Sequence, residues 1–212
     1  TATTPAQSFI ELLKEQLGFS WLGMGEDFAL GKGRHGDVHF LRSISEQYAY
    51  QLQVFPPVEL EGEVISSSRI RAYLAEGDIK PAANMLGRPY RLWGEVVEGD
   101  GRGRTIGIPT ANLLLNKEKV VPASGVYACR AKVGDDYLAA AVNIGTRPTF
   151  DGEHAKNWVE AHLIDFSGDL YGQHISLDFC ERLRGEQRFP GVEELLQQIR
   201  RDIQKTREVV ST

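Results

Sequence analysis

The spacing of apolar residues changes character along the chain. Near the start, Phe9, Leu12, Leu13 and Leu17 recur at helical intervals and predict a helix. Thr4-Pro5-Ala6-Gln7 supplies its beginning, with Thr4 as N-cap, Pro5 at the first helical position and Gln7 closing a capping box. Gly18 supplies its end. Residues 19–24 read as a buried strand, 48–54 as a second and 63–65 as a third. Between and after them, helical spacing returns: Ser66-Ser67-Ser68 opens a helix with Ile70, Tyr73 and Leu74 on one face, and Asp78 caps another that Gly87 terminates. Strand, helix, strand, helix predicts a parallel α/β arrangement for this part.

From Tyr90 the period drops to two. Leu92, Gly94 and Val96 alternate with Trp93, Glu95 and Val97, and residues 126–133, 137–144, 158–166 and 174–179 read the same way. Ala111-Asn112-Leu113-Leu114-Leu115 is one more short strand, and Gly134-Asp135-Asp136 is a hairpin turn. Several antiparallel strands with short connections predict a small closed barrel, which leaves no exposed edge. Helical spacing then resumes at Val192, Leu195, Leu196, Ile199 and Ile203, a stripe expected to pack on the outside of that barrel. Arg88-Pro89 breaks the chain where the period changes, so the boundary is placed near residue 87, giving domains 1–86 and 87–212.

Composition narrows this picture. With 212 residues, 42% hydrophobic and 25% charged, the chain suits one large or two small globular domains. A net charge of −5 argues against a general nucleic-acid binder while leaving room for a local basic pocket. Cys129 and Cys180 sit in separate strand-like segments and read as buried free thiols of a reducing cytoplasm. No apolar run is long enough to span a bilayer, and no secretory signal opens the chain. The first residue is Thr1, which suggests a piece of a longer polypeptide. The oligomeric state is not legible in the sequence.

The chemistry concentrates in residues 99–112. Gly99, Gly101, Gly103 and Gly107 allow close backbone approach to a ligand, and Arg102 and Arg104 offer forked donors for phosphate oxygens. Thr110 and Asn112 are two apart, so in an extended segment both hard oxygens face one side, a suitable pair for Mg²⁺. The stretch lacks the Gly-Lys-Ser/Thr of a P-loop, and its last glycine leads into Pro109 and a strand rather than into a helix, which excludes a dinucleotide fingerprint. On spacing alone, a hairpin loop without ligand stays open. The glycine-rich loop from Gly25 to Gly36 also follows a strand, where α/β sheets bind ligands. Its His35 and downstream His39 are four apart but lack a third metal ligand. Ser66, Ser67 and Ser68 read first as a helix cap, and with Arg69 and Arg71 they also make an anion site, two functions that can coexist.

Gly103-Arg104-Thr105-Ile106-Gly107-Ile108-Pro109-Thr110-Ala111-Asn112 resembles the signature of the bacterial bifunctional riboflavin kinase/FMN adenylyltransferases. The likeness continues through Ser124-Gly125-Val126-Tyr127-Ala128, Asn143-Ile144-Gly145-Thr146-Arg147-Pro148-Thr149-Phe150, Val159-Glu160-Ala161-His162-Leu163, Asp165-Phe166, Asp169-Leu170-Tyr171-Gly172 and Asp202 to Arg207. It implies a fragment of a Rossmann-like nucleotidyltransferase domain followed by a Greek-key β-barrel of riboflavin kinase type with a C-terminal helix. Upstream, Gly25-Glu26-Asp27-Phe28 and Ile65-Ser66-Ser67-Ser68-Arg69-Ile70-Arg71 resemble that family's adenylyltransferase half, which implies FMN and ATP contacts from Asp27, Ser66, Ser67, Arg69 and Arg71. The family's His-x-Gly-His motif is absent from these 212 residues, so the chain as given is expected not to form FAD.

On alternation alone Glu160 is a strand residue facing away from Val159, Ala161 and Leu163, and solvent is its ordinary neighbour. The resemblance makes it the catalytic base, which accepts the proton of the riboflavin 5′-hydroxyl as that oxygen attacks the γ-phosphate of ATP. It makes Thr110 and Asn112 the Mg²⁺ ligands. It makes residues 99–107, with Gly101, Arg102, Gly103 and Gly107, a flap over the phosphates next to Pro109. Asn143 is implied on the nucleotide side, Arg184 in a second flap near the flavin, and His162 as a barrel residue rather than a ligand. The expected partners are riboflavin, FMN, ATP and ADP, with neither nucleic acid nor membrane. The competing readings are a flavin- or nucleotide-binding barrel without transfer chemistry, and a single-strand nucleic-acid barrel of OB type.

Overall fold

A computed structural model describes residues 3–99, 101, 103, 106–116, 118–147 and 156–211. Arg102, Arg104, Pro148 and Thr149, all singled out above, lie outside the described residues. The chain divides into two compact units, Thr1–Ile65 and Ser66–Thr212.

In the first unit, helix α1 (Ala6–Leu17) ends on Gly18 in the left-handed conformation, as its sequence predicts. Its start differs from the prediction. Pro5 takes the cap position and no side chain caps the helix, while Gln7 Nε2 donates to Glu11 and Tyr48 instead. Strands β1 (Trp21–Gly25) and β2 (Gln51–Phe55) pair in parallel, with helix α2 (Val38–Ser43) between them in sequence, capped by Asp37. The run predicted as a buried strand alternates instead: Met24 is buried while Trp21 is half exposed. Tyr48 falls in a turn rather than in β2. The third predicted strand does not join this sheet. Its residues Glu63–Val64 form β4, an antiparallel hairpin partner of β3 (Glu59–Leu60). Pro56 and Pro57 remove two ladder donors directly after β2, and Glu61-Gly62 then turns the chain back on itself. Ile10, Met24, Leu41, Ile44 and Tyr50 make this unit's core.

In the second unit, α3 (Ser67–Glu76) begins where Ser66 Oγ accepts the Arg69 N–H, and α4 (Ile79–Leu86) ends at Gly87 with φ 65°. Asp78 precedes α4 without a side-chain cap bond. Leu74, Ile79 and Ala82 of these helices join the same core as the strands that follow. Among the described residues, β5 (Tyr90–Val97), β6 (Ala111–Leu115), β7 (Gly125–Val133), β8 (Asp136–Arg147), β9 (Lys156–Leu163) and β10 (His174–Arg184) close into an antiparallel barrel in the order β10-β5-β6-β9-β8-β7. β7, β8 and β9 run as a meander, and β10 returns to lie beside β7, which is a Greek key. Gly134, at φ 59°, makes the β7–β8 turn where sequence placed it.

The barrel interior follows the period of two. Leu92, Val96, Leu113, Val142, Ile144, Val159, Ala161, Ile175, Leu177 and Phe179 are all buried. The Tyr127 and Phe179 rings meet edge to face at 5.3 Å. Helix α5 (Val192–Val210) packs on β7, β8 and β10 from outside. Two bulges in β10, between Phe179 and Glu181 and between Arg182 and Arg184, shift its register against β7 so that Arg184 comes opposite Val126.

Cys129 and Cys180 are free, as expected. Burial raises both thiol pKa values above the ordinary range, Cys129 most strongly. At neutral pH both stay protonated, so they are poor nucleophiles. Iodoacetamide at pH 7.5 should label neither in the native protein within the time that labels both in urea, as read by intact mass. Rapid native labelling of Cys180 would show a thiolate that this environment does not support.

Candidate functional site

The barrel ladder sets the site. β6 and β9 pair Asn112 with Glu160, and β8 and β9 pair Asn143 with Glu160. Directly opposed residues share one face of a sheet, so these three side chains form a row across three strands. β7 extends the row, since Val126 opposes Asn143 and Arg184 opposes Val126. This face is the barrel exterior, because Val159 and Ala161 on either side of Glu160 are buried inside.

What covers the exterior face is α5 and the chain leading into it. A cavity of about 700 Å³ lies between them, and Thr110, Asn143, Glu160, His162 and Arg184 all line it. Its apolar wall comes from Ile106, Ile108, Phe189, Val192, Leu195 and Ile199. This size and mixture suit a small organic ligand with a flat apolar part and a polar end. Three of the five residues of the predicted stripe, Val192, Leu195 and Ile199, therefore face a cavity rather than the barrel, and the buried residues of the helix are Asp202 and Thr206.

Two further spaces meet at the same point. A cleft of about 100 Å³ is lined by Gly99, Gly101, Gly103, Pro109, Thr110, Asn112 and Tyr171. A cavity of about 560 Å³ runs from Thr110 past Phe166, Gly168 and Asp169 to Tyr171. Thr110 borders all three spaces.

The donor set fits a hard divalent cation with few protein ligands. Asn112 is buried and its Oδ1 has no hydrogen-bond partner among the described residues. An orphaned buried acceptor beside a threonine hydroxyl, in a cleft open to solvent, matches an ion that keeps water and phosphate in its shell. Gly99 is required beside it: a Cβ there would stand 1.9 Å from Asn112 Nδ2. Gly101 and Gly107 take φ of 69° and 77°, which other residues adopt at a cost. No cluster of three or more His, Cys, Asp or Glu suited to a metal occurs among the described residues, which covers the His35 and His39 pair.

Sequence reasoning missed the contacts made by the two residues that flank Glu160 on its face. Trp158 Nε1 donates to Glu160 Oε1 at 2.6 Å. His162 Nδ1 lies 2.8 Å from the Pro109 carbonyl oxygen. Both stand two residues from Glu160 on its own face, and that spacing was the available signal. Arg184 proves to be a structural clasp as well as a cavity residue. Its Nη2 is 2.8 Å and its Nε 3.0 Å from Asp202 Oδ2, Gln198 donates to Asp202 Oδ1, and the guanidinium sits over Phe189 at 5.7 Å. Ser66, Ser67, Arg69 and Arg71 do not line the Glu160 cavity, and Asp27 lies in the other unit on the turn after β1.

Comparisons with known proteins bear on this geometry. The riboflavin kinase family model matches residues 86–210, and the FAD synthetase model matches residues 1–69. The bifunctional riboflavin kinase/FMN adenylyltransferase of Escherichia coli (strain K12) is 40% identical over 209 residues, covering 98% of this chain and 66% of that protein. Its Haemophilus influenzae counterpart is 39% identical over 202 residues, covering 94% of this chain and 64% of its own. A crystal structure described as a macrolide-efflux protein from Streptococcus pneumoniae aligns with a TM-score of 0.86 at 32% identity, over 97% of this chain and 66% of that one. The chain thus spans 64% to 66% of the length of these relatives. Among the described residues, no helix is long and apolar enough to cross a membrane.

The clasp makes a measurable claim. Arg184 and Asp202 side chains are 14% and 7% exposed, so removing one leaves the other charge buried without its partner. Asp202→Ala should cost about 3 kcal/mol in urea unfolding of the native chain. An unchanged midpoint would remove the pair from the account of how α5 is held.

Proposed function

The chain belongs to the riboflavin kinase family, and on that premise we propose that residues 87–212 transfer the γ-phosphate of ATP to the 5′-hydroxyl of riboflavin. The observation that carries the reading is the pairing of Asn112 with Glu160, with Thr110 bordering the cavity that Glu160 lines. Thr110 is the shared border: Glu160 lines the cavity on one side of it and Asn112 the cleft on the other, which sets a proton acceptor next to a pair of metal-suited oxygens, as phosphoryl transfer to an alcohol uses.

Each space then has a task. The isoalloxazine ring occupies the 700 Å³ cavity against Val192, Leu195 and Ile199, with its ribityl chain running toward Glu160 and toward Asn143, which lines this cavity rather than the nucleotide side where the resemblance put it. The nucleotide enters by the cavity on the far side of Thr110, beside Phe166 and Tyr171. Thr110 and Asn112 would hold Mg²⁺, which supplies charge neutralisation at the phosphates when bound. Glu160, held by the Trp158 indole, takes the proton from the 5′-oxygen. That oxygen forms the new bond to the γ-phosphorus while the bond to the bridging oxygen breaks and ADP leaves. Gly101, Gly103 and Gly107, with Arg102 and Pro109, belong to a flap that closes over the phosphates and excludes water. Arg184 fixes the wall of the flavin cavity through Asp202.

For residues 1–86 we infer the C-terminal part of an FMN adenylyltransferase domain, supported by the FAD synthetase match. Asp27 in one unit, and Ser66, Ser67, Arg69 and Arg71 in the other, are each candidates for FMN or ATP contact. A domain limit near residue 87 is supported by the start of the kinase match at 86, although α3 and α4 pack with the barrel. The two free thiols support a cytoplasmic location.

Incubating the chain with riboflavin, ATP and Mg²⁺ should yield FMN; binding of riboflavin without FMN would favour a non-catalytic barrel instead. Glu160→Gln should lower turnover about a hundredfold or more with ATP affinity kept. Unaltered turnover would take Glu160 out of the mechanism. Thr110→Ala, Asn112→Ala and Gly99→Ala should each weaken Mg-nucleotide binding, the last by displacing the Asn112 amide. A Mg²⁺ dependence equal to the parent's in all three would refute the ligand pair.

A further inference from the structure

One contact beside Glu160 takes no part in proton or phosphoryl transfer. His162 follows Glu160 by two residues on the exterior face of β9. Extending the β6–β9 pairing one step beyond Ala111↔Ala161 sets His162 opposite Thr110. Thr110 itself lies outside β6, which begins at Ala111, so it stands where the glycine-rich loop leaves the barrel. Asn112, by contrast, is fixed inside the ladder. The residue before Thr110 is Pro109, which has no N–H and offers the neighbouring strand only its carbonyl. His162 Nδ1 meets that carbonyl oxygen at 2.8 Å. A carbonyl only accepts, so Nδ1 carries the proton and donates.

We propose that His162 is a positioning residue for the metal–nucleotide site: its Nδ1–H···O=C bond to Pro109 extends the cross-strand tie past the end of the ladder and holds Thr110 beside Asn112 as a ligand pair. The ligand role of Thr110 rests on the kinase reading. A ring that merely fills surface between β9 and the loop would give the opposite ranking of two substitutions. His162→Phe keeps an aromatic ring and loses the donor. His162→Asn loses the ring and keeps an amide N–H near the Nδ1 position.

The test is calorimetric binding of ADP to the full chain across a Mg²⁺ titration, with thermal unfolding recorded for each variant. His162→Phe should raise the Mg²⁺ needed for half-maximal ADP binding about tenfold, the loss typical of outer-shell partners. His162→Asn should recover most of that loss. A Phe variant that matches the parent, or an Asn variant as impaired as the Phe one, overturns the proposal. If the Phe variant does not fold, His162→Ala takes its place against Asn with the same two outcomes. FMN formation by the unaltered chain is followed separately: its absence sinks the kinase reading, whereas the variant ranking in metal-dependent ADP binding decides the role of His162.

Discussion

The hydrogen-bond register between β6, β9 and β8 is the constraint on which the site depends. It sets Asn112, Glu160 and Asn143 side by side on one face. A slip of one residue in either pairing would send one of them into the barrel interior. What prevents the slip is the opposite face. Leu113, Val159, Ala161, Val142 and Ile144 are buried there, and turning any of these strands over would expose them while burying a carboxylate or an amide. The apolar interior thus aims the polar exterior without touching a ligand.

The exterior row becomes a site only because something covers it. Helix α5 is amphipathic, but its apolar edge does not simply complete a core. Val192, Leu195 and Ile199 face a cavity, while the buried Asp202 is taken by Arg184 from β10 and by Gln198 from its own helix. A charged pair of this kind ties helix to strand end at one point and leaves the intervening space open, which a continuous apolar seam would close. The bulge between Arg182 and Arg184 makes the tie possible by re-aiming the last residue of β10.

Much of this was legible in the chain. The change of period at Tyr90, the barrel strands, the Gly134 turn, the Ser66 cap and the Gly18 and Gly87 helix ends all follow from local patterning and stand in the structure. The misreadings share a cause. Thr4 satisfies the local rules for a cap, yet Pro5 takes the position, because more than one residue of that segment can begin the helix. Residues 63–65 have strand propensity, yet whether they join β1 and β2 or fold back on β3 depends on the two prolines before them and on a partner strand that propensity does not name.

The sequence by itself determined which residues are chemically able: a carboxylate on an alternating strand, two hard oxygens two apart, glycines that permit close approach. The last two are properties of composition and period and survive without any long-range contact, whereas Glu160 was singled out from other strand carboxylates by the family resemblance. Only the tertiary structure decided that Glu160 stands opposite Asn112, that the Trp158 indole donates to Glu160 while His162 meets the Pro109 carbonyl, and that Arg184 clasps Asp202 rather than solvent. Strand partners come from distant parts of the chain, and which residue opposes which is set by how the apolar faces fit together and where the bulges fall, neither of which is a local property.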